Sequence, residues 1–244
     1  MNFFDLVNIS EKEMKILNPM FKEKFEQLGN NMGLNEQKAV LDLACGFGEI
    51  LAIWGTKFGV TGTGVEIREY ACEKARKRLE ELNLNNLAIE CQNASNYTTK
   101  SKYDIVSVIG ASFIYNGFQN SIKNMKAMMK EDGKLVIGEP YLIKEPMNQD
   151  VKQFIEDEGV LNEFELLEII RNEGFELEYM VRSSQDEWDY YESQNWIGLN
   201  KWLVENPCHP DWDTVKNHLR ESQDNYFKYG REYIGWAVYV LREQ

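Results

Sequence analysis

Through residues 39–140, short apolar runs alternate with stretches in which apolar side chains recur every third or fourth position. The run at 39–44 ends in a glycine-bearing segment and reads as a buried strand, and the runs at 60–67, 87–91, 103–109 and 134–138 repeat that pattern. Between them, 48–57, 69–83 and 119–130 read as helices; in the second, Ala71, Ala75 and Leu79 stand four apart on one face. Strand and helix in alternation, joined by short connections, predict a parallel sheet covered on both faces. After Glu139-Pro140 the pattern changes. Residues 162–173 form an amphipathic helix with Leu166, Leu167 and Ile170 in a stripe, stopped by Gly174, and 175–181 alternates apolar and polar as a strand should. A closing strand is expected at 233–241, and the aromatic-rich stretch 184–230 before it reads mostly as helix.

Length and composition narrow the class. A chain of 244 residues with 43% hydrophobic and 27% charged positions can bury a large core without disulfide or metal staples. Its 40 acidic against 27 basic residues, net −13, disfavour a surface that tracks nucleic-acid phosphates. The densest basic segment, Lys74 to Arg78, is interleaved with Glu73, Glu80 and Glu81 and reads as a solvated helix face. No apolar run reaches the ~18 residues a membrane-spanning helix requires, and residues 1–5 lack the basic start of a signal peptide. Cys45, Cys72, Cys91 and Cys208 stand far apart with no CxxC pair, so reduced thiols are the reading and no metal site is expected. Together these point to a soluble, cytoplasmic, acidic α/β protein that partners neither nucleic acid nor membrane.

The chemistry concentrates where the first strand runs into Asp42-Leu43-Ala44-Cys45-Gly46-Phe47-Gly48-Glu49 and opens a helix. Two glycines at alternate positions allow a tight turn that can lie against a ligand, and the amides of the helix start favour an anionic group such as a carboxylate. A dinucleotide fingerprint would need a third glycine where Leu51 stands, and no Gly-Lys-Ser/Thr ending is present for a P-loop. Glu66 ends the second strand, at the edge of the sheet where α/β ligands bind, and a carboxylate there accepts both hydroxyls of a ribose. The competing reading makes Glu66 a helix-start acid for 69–83.

These residues, with Asn93-Ala94, Tyr103 to Val106 and Glu131 to Leu135, resemble in order and spacing the motifs of class I S-adenosylmethionine-dependent methyltransferases, over about residues 39–140. The tail, with Gly138 to Tyr141, Trp188, Asp189, Tyr191, Glu192, Trp196 and Arg231 to Trp236, resembles a subgroup of small bacterial and archaeal methyltransferases with no assigned substrate. The resemblance implies a doubly wound, seven-stranded, mostly parallel Rossmann-like sheet with a helical insert before the last strand. It divides the single domain into an N-terminal helical cap (1–36), a cofactor-binding core (37–183), a helical substrate lid (184–230) and the closing strand (231–244). It implies that Asp42, Ala44, Gly46 and Gly48 hold the methionine end of S-adenosylmethionine. Glu66 would take the ribose, Ile67 would pack on adenine, and Asn93 and Ala94 would meet the adenine edge. Ile109, Gly110 and the residues to Ser112 would border the sulfonium and the acceptor. Two departures stand out. Ala44 replaces a glycine, and Asn93 replaces the usual Asp, leaving open a contact from its amide oxygen to adenine N6.

The expected reaction is methyl transfer to N, O, S or C of a small molecule by in-line displacement. It demands alignment and dryness more than a catalytic triad. His209 and His218 read as surface or structural residues. Glu139 and Tyr141, at the end of the fifth strand, are candidate catalytic residues, against the alternative that Glu139-Pro140 simply ends the strand. Asp189 and Tyr191 are further candidates, in a cluster of Trp188, Tyr190, Glu192, Trp196 and Trp202 that would suit a cationic or planar acceptor. Trp196 and Trp202 equally suit the inner face of a lid helix packed on the sheet, and Arg231 and Glu232 either orient substrate or pair with each other. In 14–29, Leu17, Met20, Phe21, Phe25 and Leu28 predict two short helices meeting at Asn18-Pro19, as a cofactor cap or as cover for the sheet edge. Alternative functions are lipid cyclopropanation, nicotinamide oxidoreduction, and a catalytically silent cofactor-binding module.

Overall fold

The computed structural model describes residues 1–244, and its centre is the set of near-continuous apolar runs. Strands β1 (Ala39–Leu43), β2 (Thr61–Glu66), β3 (Leu87–Cys91), β4 (Tyr103–Ile109) and β5 (Met129–Leu142) pair in parallel. Val40, Leu41, Leu43, Val106 and Val108 are fully buried, as strands covered on both faces require. β7 (Ile234–Glu243) inserts antiparallel between β5 and β6 (Phe175–Arg182), giving the order β3-β2-β1-β4-β5-β7-β6. The order reverses between β1 and β4, so their carboxyl ends open the crevice in which sheets of this kind bind ligands.

Helices cover both faces. On one side α2 (Lys22–Asn31), α3 (Glu49–Phe58) and α4 (Glu69–Glu81) pack round Trp54, whose indole donates to the Phe25 carbonyl at 2.8 Å. On the other, α5 (Phe118–Lys126) and α7 (Glu163–Asn172) bury Phe118, Leu166 and Ile170 against Phe175 and Tyr239. A short α6 (Gln149–Asp157) precedes α7. Asn162 and Glu165 close a reciprocal capping box at the start of α7. The stretch between β6 and β7 is helical: α8 (Gln185–Glu205), α9 (Trp212–Asn225) and a π-helical turn over Tyr226–Gly230. No helix is long and apolar enough to cross a membrane.

Several sequence expectations are corrected. The helix expected to 130 ends at Lys126, because Met129 is already paired with Tyr103 in β5; methionines that fit a helical stripe are consumed by a strand. The chain between Ser10 and Lys22 holds no helix, so the pair expected over 14–29 is one helix, α2, preceded by an irregular connector. The other N-terminal helix is α1 (Phe3–Ser10), started by a capping box between Asn2 and Asp5 that the sequence reading passed over. Nor does Pro140 end β5. The Gly138 carbonyl accepts the Gly110 N–H, so Pro140 faces the same side two residues on, where β4 has stopped and a missing N–H loses no ladder bond. Trp196 and Trp202 do not pack on the sheet. They border a small separate core of Leu199, Leu203, Val215 and Leu219 between α8, α9 and α1. Arg231 and Glu232 do not pair with each other: the first meets Asp189 and the second Lys144.

Glu187, the capping-box acid of α8, is buried and takes the Phe21 N–H at 2.9 Å together with the Lys24 ammonium, fastening the N-terminal segment to α8. Farther along α8, α1 lies so close that a Cβ on Gly198 would run into the carbonyl oxygens of Ile9 and Ser10. Overpacking of this kind costs about 1–3 kcal/mol, partly offset by the better helix propensity of alanine. Gly198→Ala is therefore expected to lower stability by about 1–2 kcal/mol in urea unfolding; an unchanged midpoint would show that α1 is not docked there.

Candidate active site

The turn after β1 owes its shape to left-handed backbone at alternate positions. Ala44, Gly46 and Gly48 have φ of 56°, 56° and 69°, so the resting conformation of Ala44 is one that favours glycine, at a cost of about 1 kcal/mol. Gly48 then starts α3, and Ala75 of α4 stands 3.0 Å from where a Gly48 Cβ would be. The free face of this turn borders a cavity of about 380 Å³ at the carboxyl ends of β1, β2 and β4.

Two buried acids frame the cavity. Glu66 is 4% exposed; its Oε2 accepts the Gly46 N–H at 3.0 Å, and its Oε1 accepts the Arg68 backbone N–H at 2.9 Å and Nε at 3.2 Å. Arg68 reaches on to Glu11 at 2.6 Å and Asn8 at 3.2 Å, which ties the end of α1 to the end of β2. Burial pushes the Glu11 carboxyl up, against the opposing pull of Arg68. Asp42 is 2% exposed. Ser107 Oγ donates to its Oδ1 at 2.6 Å, while Oδ2 has no partner. Burial raises the Asp42 carboxyl to about 7, Ser107 counteracts, and the Glu66 charge adds to the rise.

Buried side-chain polar atoms are rarely left unpaired. The five here, Asp42 Oδ2, Asn18 Oδ1, Glu139 Oε2, Trp188 Nε1 and Trp236 Nε1, gather at the carboxyl end of the sheet. Asn18 Oδ1 lies 2.8 Å from where a Gly110 Cβ would be, and Trp236 Cη2 lies 3.1 Å from the same point.

The structure brings most of the sequence-derived residues together. Asp42, Ala44, Gly46 and Glu66 line the cavity from one side, and Ile109 and Gly110 from another. Ile67, 48% exposed, and Asn93 stand at its rim, and Tyr191 reaches it from α8. Gly48 and Ala94 lie behind this lining; the Ala94 carbonyl accepts the Tyr115 hydroxyl at 3.0 Å. The amide oxygen of Asn93 is taken by Ser95, through its N–H at 2.9 Å and hydroxyl at 2.8 Å. The free end of the amide is therefore the Nδ2 donor, and a contact from the oxygen to adenine N6 would have to share an acceptor already engaged twice.

Glu139, Tyr141 and Asp189 lie outside the cavity lining. Glu139 accepts from Ser112 Oγ at 2.8 Å, borders a hollow against α7 on the opposite face, and is raised by burial to about 7. The Tyr141 ring packs over Gly235 and under the Arg182 guanidinium, 5.6 Å from its centroid. Asp189 is held by Arg231 Nε and Nη2, each at 3.0 Å, and by the Tyr226 hydroxyl at 2.6 Å, and the Arg231 hydrogen bonds keep its carboxyl low. His209 sits on the surface against Trp202.

The sequence reading places an N-terminal cap in 1–36 with helix over 14–29, but not through the residues that border the cavity. Phe3, Phe4 and Val7 of α1 and residues 15–18 of the connector close it from above. Only the Asn2/Asp5 box announced that helix, and nothing local marked Asn18 or Arg68 as site residues.

A model of the family described as "Methyltransferase domain" matches residues 34–197, about two thirds of the chain. The uncharacterized protein YjhP of Escherichia coli (strain K12) is 30% identical over 246 residues, with 97% of each chain covered. Two solved structures are similar along nearly their whole length. One is a SAM-dependent methyltransferase from Geobacter sulfurreducens in complex with S-adenosyl-L-homocysteine (TM-score 0.93, 31% identity, 98% of each chain). The other is a SAM-dependent methyltransferase from Thiobacillus denitrificans, also in complex with S-adenosyl-L-homocysteine (TM-score 0.93, 30% identity, 100% of each chain). The reversal of the sheet, the crevice it opens and these matches lead to one assignment: the chain belongs to the methyltransferase domain family.

Proposed function

We propose that this enzyme moves the methyl group of S-adenosylmethionine to a small-molecule acceptor, with release of S-adenosylhomocysteine. The observation that carries this reading is the pairing, in one crevice, of a glycine turn with two buried acids, one of them holding an unpartnered oxygen. Asp42 Oδ2 needs a donor, and the ammonium of a methionine moiety supplies one. Residues Ala44 to Gly46 border the same cavity, beside the same end of the nucleoside. Glu66 Oε2 has one lone pair left beside the Gly46 N–H, enough for one ribose hydroxyl; a second hydroxyl needs Oε1 to release Arg68 Nε. Ile67 offers an apolar face to adenine, and Asn93 Nδ2 a donor to a ring nitrogen.

The sulfonium brings a methyl group already activated for displacement. The residues of this chain have to hold, align and keep dry. The cover formed by α1, the connector and α8 shields the cavity, and at Gly110 the absent side chain lets Asn18 Oδ1 and the Trp236 ring come close to the end of β4. Glu139, Tyr141 and Asp189 fall outside the cavity lining, whereas Tyr191 is the α8 residue that reaches it.

Calorimetry with S-adenosylmethionine, S-adenosylhomocysteine and NAD tests the ligand class; preference for NAD overturns it. Glu66→Gln is expected to weaken S-adenosylhomocysteine binding by about 1.5–3 kcal/mol, the worth of a hydrogen bond to a charged group. Unchanged affinity would put the ribose elsewhere.

Asp42 sets a pH dependence whose sign follows from its raised carboxyl. The folded protein holds a proton there up to about pH 7, whereas the unfolded chain loses it near 4, so the stability contributed is full below about 4 and is lost as pH rises to about 7. The swing is of order 4 kcal/mol at most. Without ligand, wild type should therefore lose stability relative to Asp42→Asn across that window, as read by urea unfolding at successive pH values. S-adenosylhomocysteine binding, which needs the ionised carboxylate, should strengthen through pH 7 in wild type and stay flat in the variant. Parallel profiles would remove Asp42 from the ligand site.

A further inference from the structure

A second cavity adjoins the one that the glycine turn borders. Its volume is also about 380 Å³, and it lies between the connector and the first half of α8. Lys15, Ile16, Asn18 and Tyr191 border both spaces, so the two share a wall. Asn18 carries that wall to the end of β4: it is 8% exposed, and its unpartnered Oδ1 lies against Gly110. A molecule filling the second cavity therefore abuts the side chain that abuts the strand end where the sulfonium is expected. The hollow against α7 is the rival space for an acceptor, yet it meets the nucleoside cavity only at Phe113.

The lining of the second cavity combines aromatic surface with one uncompensated charge. Met14 and Met20 are buried in its wall, whereas Phe21 and Tyr190 are 43% and 53% exposed. Those two rings meet edge-on, with centroids 5.4 Å apart and planes at 74°, and the surface they leave uncovered is what a flat apolar ligand buries. Four charged side chains also border the space, and three of them have partners. Glu187 holds Lys24 and the Phe21 N–H, Glu13 holds Lys201 at 2.8 Å, and Lys22 holds Glu26 at 3.2 Å. Lys15 forms no ion pair and its ammonium no hydrogen bond, so in a chain of net −13 the charge left over on this cavity is positive. The hollow against α7 is the opposite case, bordered by Glu139, Asp157 and Glu158 and by no lysine or arginine. An anion is drawn to the first space and a cation to the second.

We propose that the cavity under α8 receives the methyl acceptor, and that the acceptor is a small aromatic acid. Its ring lies against Phe21 and Tyr190, and its carboxylate pairs with Lys15 at the solvent edge. This rests on the methyl-transfer reading above and names the substrate class for the second ligand of that reaction. The volume is of the size that takes a small organic molecule. An amine of the same skeleton would bring a second cation to Lys15 and leave that charge without a partner.

The test uses the full chain saturated with S-adenosylhomocysteine and titrated with phenylacetate, phenethyl alcohol and phenethylamine, which share one ring and a two-carbon arm. Phenylacetate is expected to bind at least about fivefold more tightly than the alcohol, the worth of a partly exposed ion pair, and the amine most weakly. Lys15→Gln should bring phenylacetate level with the alcohol, and Lys15→Arg should restore the difference. Tyr190→Ala should weaken all three probes while leaving S-adenosylhomocysteine affinity unchanged, because Tyr190 borders the second cavity and not the first. Equal binding of acid and alcohol by wild type overturns the proposal, and that comparison needs no variant to fold. Preference for the amine overturns it in favour of the hollow against α7. An acid preference that survives Lys15→Gln, or probe binding indifferent to Tyr190→Ala, overturns it as well. Failure of S-adenosylhomocysteine itself to bind would instead sink the methyl-transfer reading.

Discussion

The hydrogen bond from the Gly46 N–H to Glu66 joins the two pieces of backbone on which the crevice depends. The turn after β1 is made of left-handed residues and includes an alanine held where glycine would rest more easily. Such a turn is not stable alone; it needs a partner that over-determines it. Glu66 is that partner, since the parallel register of β1 with β2 brings the end of one strand beside the turn leaving the other. Its second oxygen engages Arg68, and Arg68 engages Glu11 and Asn8. One carboxylate therefore couples the turn, the end of β2 and the N-terminal cover. Each bond is of the charge-assisted kind, and neither end of the chain of contacts is solvent-exposed enough for salt to dissolve it.

This arrangement works against folding. Asp42, Glu139 and Glu192 are all raised toward neutrality by burial, and five polar atoms at the same end of the sheet lack partners. Elsewhere the chain satisfies such groups with care. Glu187, as buried as Asp42, receives the Phe21 N–H, the Lys24 ammonium and the Ser184 cap, and its carboxyl is held low. Glu187 and Glu192, five residues apart on one helix, stand in contrast. The first acid closes its own network and fastens the fold, whereas the second is shielded with no cationic partner.

How much of this was legible in the sequence follows from the range of each interaction. The alternation of β1–β5 with their helices, the glycine turn and the acid ending β2 are written in contiguous residues, because buried parallel strands and tight turns constrain composition locally. The cover was legible only in part: the apolar spacing over 14–29 suggested helix, yet 11–21 is an irregular connector, and the place of Asn18 comes from Gly110, about ninety residues away. The aromatic-acidic cluster of α8 was visible as a cluster, yet adjacent letters turn to different faces. The face turned inward is set by Trp188 meeting Trp236, a contact across the whole insert. Hence Tyr191 reaches the cavity and Asp189 does not, though sequence alone ranks them alike. Pro140 misled for a related reason: a proline reads as a strand breaker until the neighbouring strand is known to have stopped first.

The cover also links the two ligands of the proposed reaction. Residues 15–18 of the connector and Tyr191 of α8 border the nucleoside cavity, and Lys15, Ile16, Asn18 and Tyr191 also border an adjoining cavity of similar size under α8. On the proposed reading, a ribose that draws both oxygens of Glu66 must loosen Arg68, and Arg68 is the tie between the end of β2 and the residues leaving α1. The same residues continue into the connector that carries Asn18 toward Gly110. Nucleoside binding and the shape of the acceptor side are therefore mechanically joined through a few residues. Glu187 anchors α8 to the segment after Asn18 through the Phe21 N–H and the Lys24 ammonium. On that reading the coupling between the two sides runs through the short connector between the end of α1 and Phe21. A displacement there reaches both the wall at Gly110, through Asn18, and the glycine turn, where Leu17 lies against Gly46.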